Sequence, residues 1–123
     1  MRRRSTTLTE QELEIMKVVW ERESVTVRDV YEALLERRKV AYTTVMTMMK
    51  ILEQKQYLRK NQTDRAYVYR PAHPKGQVIG AMVREFVNRV FNGAAEPLLV
   101  HLVEEHDLSP EELEEIARLR RKA

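Results

Sequence analysis

The sequence predicts a mostly α-helical fold with one small β-hairpin: an N-terminal helix-turn-helix unit carrying the hairpin, then a C-terminal helical region. Three observations carry this. Apolar residues recur three and four apart over most of the 123 residues, the mark of amphipathic helices. The period drops to two only around residues 57–70, the mark of strands. All three Gly and all four Pro lie at position 71 or beyond, so the first seventy residues must turn without either.

The elements follow in order. Thr9-Glu10-Gln11-Glu12 is a capping box, and Leu13, Met16, Val19 and Trp20 then recur at helical spacing. Ser24-Val25-Thr26 breaks that pattern and suits a very short strand. Thr26 with Asp29 reads as a second cap, before a helix lined by Val27, Val30, Tyr31, Leu34 and Leu35. A third helix is expected from about Tyr42 to Gln56, with Val45, Met48, Met49 and Leu52 on one face. Its cap is poor, because Ala41 offers no side-chain acceptor. Strand-like runs at 57–61 and 66–70 flank a turn over 62–65, for which Asn61 and Asp64 are candidate turn residues. Beyond Pro71, helices are expected from about Pro74 to Phe91, from Pro97, and after the start signal Ser109-Pro110-Glu111-Glu112.

Charge divides where the period changes. Residues 1–72 hold 15 basic and 10 acidic side chains, and residues 73–123 hold 7 and 9, for nets of +5 and −2. A basic first part suits a polyanionic partner. Two domains are therefore expected: a winged-helix DNA-binding domain over 1–72 and a helical dimerisation domain over 73–123. Such a unit places its third helix in the major groove of double-stranded DNA, with the hairpin as the wing. The C-terminal helices are too short to build a core alone and are expected to pack on a second copy of the chain. Their apolar candidates are Val78, Ile79, Met82, Val83, Phe86, Val90, Leu98, Leu99, Leu102, Val103, Leu113 and Ile116.

Several classes are excluded or disfavoured. Without cysteine there is no disulfide, thiolate metal site or cysteine nucleophile. No nucleophile–base pairing or glycine-rich phosphate loop is evident, so the chain is not expected to be an enzyme or to hold a cofactor. His101 and His106 are five apart, poor spacing for joint metal ligation on a helix, and no metal is expected. No apolar run suits membrane insertion, and MRRRSTTLTE has no apolar leader segment, so a cytoplasmic location is expected.

The segments Leu8 to Trp20, Val25 to Leu34, Ala41 to Leu52 (AYTTVMTMMKIL) and Asp64 to Pro71 (DRAYVYRP) resemble the BlaI/MecI/CopY family of bacterial winged-helix repressors, the penicillinase repressor family. The resemblance implies a homodimer that binds a palindromic operator and represses transcription. It also implies, for part of the family, a sensor protease that cuts an Asn-Phe bond in the second C-terminal helix. The matching position here is His101-Leu102, a departure that leaves cleavage-based induction open. The copper-responsive branch ends in a cysteine motif, and this chain has none.

With Val45, Met48, Met49 and Leu52 inward, the third helix turns Thr43, Met46, Thr47 and Lys50 outward, with Tyr42 and Thr44 at its start. Thr hydroxyls reach bases or phosphates, Thr and Met carbons meet a thymine methyl, and Lys50 reaches guanine or phosphate. Lys60 and Arg65 near the wing tip suit phosphate or the minor groove, and Arg28 suits phosphate. Arg59 and Arg70 lie along the wing strands, Tyr67 and Tyr69 are expected to pack, and Arg2, Arg3 and Arg4 form a short basic arm. The alternative is a winged-helix protein-interaction module without DNA binding.

Overall fold

A computed structural model of the chain describes residues 8–63 and 66–122. Arg2, Arg3, Arg4, Asp64 and Arg65 lie outside the described residues. The elements are α1 (Glu10–Arg22), α2 (Val27–Leu35), α3 (Tyr42–Gln54), β1 (Leu58–Gln62), β2 (Tyr67–Pro71), α4 (Lys75–Phe91), α5 (Glu96–His106) and α6 (Pro110–Lys122). The strands form one antiparallel hairpin, Leu58 opposite Pro71 and Gln62 opposite Tyr67. The chain divides into two compact units, Met1–Ile79 and Gly80–Ala123.

The first unit is built on two reciprocal caps. Thr9 Oγ1 accepts from Glu12 N and Glu12 Oε1 accepts from Thr9 N; Thr26 and Asp29 repeat the exchange at α2. Between them Val25 forms an isolated bridge to Tyr69, donating to its carbonyl at 3.0 Å and accepting from its N–H at 2.7 Å. The short strand expected at 24–26 is thus a third rung beside the hairpin, and it ties the wing's base to the helix-turn-helix.

Ile15, Met16, Val19, Val25, Val30, Leu34, Val45, Met49, Leu52 and Leu58 are fully buried. On α1 the buried stripe is shifted from the expected one. It takes in Ile15 and leaves Leu13 and Trp20 half-buried, because α1 packs on α2, α3 and β2 together. Leu35, expected inward, is 42% exposed in the last turn of α2, and Met48 is only half-buried.

The lack of glycine has a visible consequence. α3 stops at Gln54, two residues earlier than expected, and Gln56 takes the left-handed conformation at φ 72°. Gln56 N donates to Glu53 O and Tyr57 N to Leu52 O, a Schellman closure with glutamine where glycine is usual. Tyr57 is thereby drawn into the helix end, so β1 starts one residue later than expected. Glu23 also takes the left-handed conformation, at φ 71°, but ends α1 with a single bond from its N–H to Val19 O. At the hairpin tip Asn61 belongs to β1; Thr63 closes the turn, its N–H donating to Ala66 O and its hydroxyl accepting from Ala66 N.

Glu12 is the buried charge among the described residues of this unit, 5% exposed. Both its oxygens lie 3.0 Å from Lys55 Nζ, so the pair fastens the start of α1 to the end of α3. Burial alone would raise the Glu12 pKa. The Thr9 N–H and the Lys55 ammonium outweigh it and hold the carboxyl below its ordinary value. On the surface, Arg38 holds Glu14 at 2.7 Å.

In the second unit Gly93, at φ 88°, follows α4, and its N–H closes back on Val87 O. α5 carries Pro97 in its first turn, and α6 starts on the expected Ser109–Glu112 box. Among the described residues beyond Val78 none is buried. No helix among the described residues is long and apolar enough to cross a membrane.

Candidate nucleic-acid interface

α3 presents its outer face because its inner one is used up: Val45, Met49 and Leu52 are each 0% exposed. That leaves Tyr42, Thr43, Thr44, Met46, Thr47 and Lys50 exposed, as the spacing predicts. The start of α3 is itself suited to an anion. No side chain caps it and no acidic residue lies in its first turn, so its free N–H groups and the dipole face outward uncompensated.

A groove of about 610 Å³ runs beside this face. Its walls are the start of α2 (Thr26, Val27, Arg28), α3 (Tyr42, Met46, Thr47, Lys50) and the wing (Lys60, Ala66, Tyr67, Tyr69). Among the described residues Arg28, Lys50 and Lys60 supply three cations to its lining, and none of them is a carboxylate. Six of the nine sequence-predicted residues therefore meet in one concavity. Thr43 and Thr44 are exposed on α3 outside its lining, and Arg65 lies outside the described residues.

The cations are positioned by their neighbours. The Arg28 guanidinium lies 5.7 Å from the Tyr42 ring centroid, and Tyr42 meets Tyr31 edge-on at 5.3 Å. The aromatic pair thus joins α2 to α3 and carries the arginine on its outer side. Arg28 also reaches Glu32 at 3.7 Å, an exposed contact that competes weakly with a phosphate. Lys60 sits 4.4 Å over the Tyr67 ring and 3.7 Å from Glu53. Lys50 has no ion-pair partner among the described residues.

Tyr67 and Tyr69 share a strand face but not a fate. Tyr69 is 6% exposed, and burial raises its pKa. Tyr67, expected to pack, is 49% exposed at the groove rim. Two residues further out, the strand has left the core behind. Alternation put both rings on one face but gave no measure of how far the core extends under the wing. Thr26, Val27 and Ala66 are further lining residues that sequence reasoning missed, because the fold alone brings three elements together there.

The apolar candidates of the C-terminal helices divide by burial. Val78 lies within the first unit and is buried. Ile79, Met82, Leu98, Leu102, Val103 and Leu113 are half-buried. Val83, Phe86, Val90, Leu99 and Ile116 are exposed, as are Val100 and Leu119, which the sequence reading did not single out. His101 is exposed and its ring lies 6.1 Å from that of Phe91.

Comparison with known proteins gives a consistent picture. The family model described as penicillinase repressor matches residues 8–122. The chain is 40% identical over 101 residues to the transcriptional regulator BlaI of Mycobacterium tuberculosis, covering 80% of this chain and 73% of that protein. It is 29% identical over 112 residues to the penicillinase repressor of Bacillus licheniformis, covering 91% and 88%. The solution structure of the monomeric form of Bacillus licheniformis BlaI with the blaP half-operator superposes at a TM-score of 0.51. That match has 28% identity and covers 57% of this chain and 85% of the other.

Proposed function

The chain belongs to the penicillinase repressor family, and from that premise we propose that it is a homodimeric repressor that binds a palindromic operator in double-stranded DNA. The family consists of transcriptional repressors, not enzymes. The observation that carries the reading is the groove itself: among its described lining residues three cations and no carboxylate, and an uncapped recognition helix at its edge. A phosphate strand suits the concavity, and the outer face of α3 suits base edges in the major groove. In this reading Arg28 and Lys60 meet phosphate, and Arg65, outside the described residues, is proposed to do the same. Tyr42, Thr43, Thr44, Met46, Thr47 and Lys50 address the recognition face.

Residues 1–72 carry the DNA contact and residues 73–123 the dimer contact. The dimer is supported by the apolar side chains of α4 to α6 that are exposed among the described residues. Phe86, Leu99 and Ile116, at 40%, 49% and 52% exposure, are its principal anchors. A relative seen as a monomer on a half-operator is in keeping with two halves read by two copies. Two recognition helices would then lie roughly 34–36 Å apart, or a multiple of that, along the duplex. A location in the cytoplasm, where the operator is, goes with this role.

Footprinting on the chain's own promoter region tests it. The expected result is a protected palindrome whose occupancy falls steeply with salt. Salt-insensitive binding to a protein partner, with no retention on DNA, would instead support an interaction module.

A further inference from the structure

Adjacent strand residues face opposite ways. Tyr69 lines the recognition groove, and Arg70 lines a second, larger cleft of about 970 Å³. This cleft is bounded by the end of α1, the end of β2 and the segment leading into α4. Lys17, Arg22, Arg70 and Lys75 line it against two carboxylates, Glu21 and Glu23. Arg22, Arg70 and Lys75 have no ion-pair partner among the described residues.

Two further facts give the cleft a chemistry. Arg70 stands directly opposite Arg59 in the hairpin, and both are exposed. Like charges placed so repel, and an anion beside them relieves the repulsion. Trp20, Pro71 and Pro74 form an apolar wall. The indole is held in place because its Nε1 donates to His73 O at 3.3 Å.

We propose that this cleft binds a small ring-bearing oxyanion, an aryl phosphate or aryl carboxylate. The oxyanion meets Arg70, Arg22 and Lys75, and the ring lies against Trp20 and the prolines. Because Pro71, Pro74 and Lys75 are themselves walls, a bound ligand holds the segment that leads from the hairpin into α4. The site is separate from the recognition groove and does not depend on what that groove binds.

Trp20 is the only tryptophan in the chain and serves as the reporter. The full chain is titrated with phenyl phosphate, benzoate and benzylamine while Trp20 emission is followed, with inorganic phosphate as competitor. The expected result is a saturable change with phenyl phosphate or benzoate and none with benzylamine; whichever anion binds tighter identifies the oxyanion. Inorganic phosphate should displace the ligand only at about tenfold higher concentration, and Arg70→Glu and Lys75→Glu should each raise half-saturation about tenfold. Both residues are exposed, so unchanged circular dichroism is expected to accompany the loss. No saturable change with either anion, an equal response to benzylamine, equal competition by inorganic phosphate, or half-saturation unmoved in both variants would overturn the proposal.

Discussion

Replacing Lys55 by methionine isolates the one buried charge among the described residues of the winged-helix unit. Glu12 is 5% exposed, and both its oxygens are 3.0 Å from Lys55 Nζ. In Lys55→Met the carboxylate keeps its bonds to Thr9 but loses the ammonium. Stripping one partner from a buried pair costs about 3–5 kcal/mol. The Lys55 side chain is 23% exposed, so water reaches the site and the low end, about 3 kcal/mol, is expected. Glu12→Gln is milder. Its amide oxygen still accepts the capping bond, and Lys55 can turn its ammonium to water, so about 1 kcal/mol is expected. The double variant should be no worse than Lys55→Met alone, since it removes the stranded charge. Urea unfolding of the full chain at one fixed protomer concentration measures all four proteins.

Acid adds a second reading of the same pair. The folded Glu12 pKa lies below its ordinary value of 4.5, so the unfolded chain binds its proton first as pH falls. The stabilisation is complete above about pH 4.5 and is lost as pH drops through the folded value. Glu12→Gln should lack this part of the acid dependence, while the Arg38-held Glu14 keeps another part, its pKa also lowered. In Lys55→Met, burial without the ammonium should move the loss to higher pH. If Glu12→Gln costs as much as Lys55→Met, or its acid profile matches the parent's, the account of α1 fastened to α3 by a buried charge is wrong.

Other predictions follow from the same geometry. Arg28→Ala should weaken operator and non-operator DNA alike and lower the salt slope by about 1, checked by titrations at several salt concentrations. Thr47→Ala should instead change which sequences are selected from an operator library; unaltered selection removes Thr47 from the base readers. Phe86→Glu or Leu99→Glu should yield monomers by light scattering at micromolar protomer, with the winged-helix unit still folded by circular dichroism. Gln56→Gly, which relieves a left-handed glutamine, should raise stability by about 0.5 kcal/mol in urea titration; a clear loss would mean that φ 72° costs nothing there.

Much of the secondary structure was legible because its signals are local. Thr9–Glu12, Thr26–Asp29 and Ser109–Glu112 each place cap and partner three residues apart, and the reciprocal bonds follow from that spacing alone. The outward face of α3 was legible for the same reason, since Val45, Met49 and Leu52 repeat with the helix. The Glu12–Lys55 pair was not, because it joins positions 43 apart and Glu12 already had a local role as a cap partner. Tyr67 was misjudged because strand alternation assigns a face, not a depth. The late start of β1 was hidden because Tyr57 is claimed by a helix end that glycine usually announces.

The sequence by itself determined the element order, the caps, the split of charge between the two parts and the absence of thiol chemistry. These depend on residues close together in the chain or on simple counts. Only the tertiary structure decided that Arg28, Lys50 and Lys60 line one groove, with no carboxylate among its described lining residues, and that Arg70 faces a different cleft. Those facts depend on how α2, α3 and the hairpin meet around a buried core. That meeting is set by packing between distant residues, such as the Val25–Tyr69 bridge, which spacing along the chain does not encode.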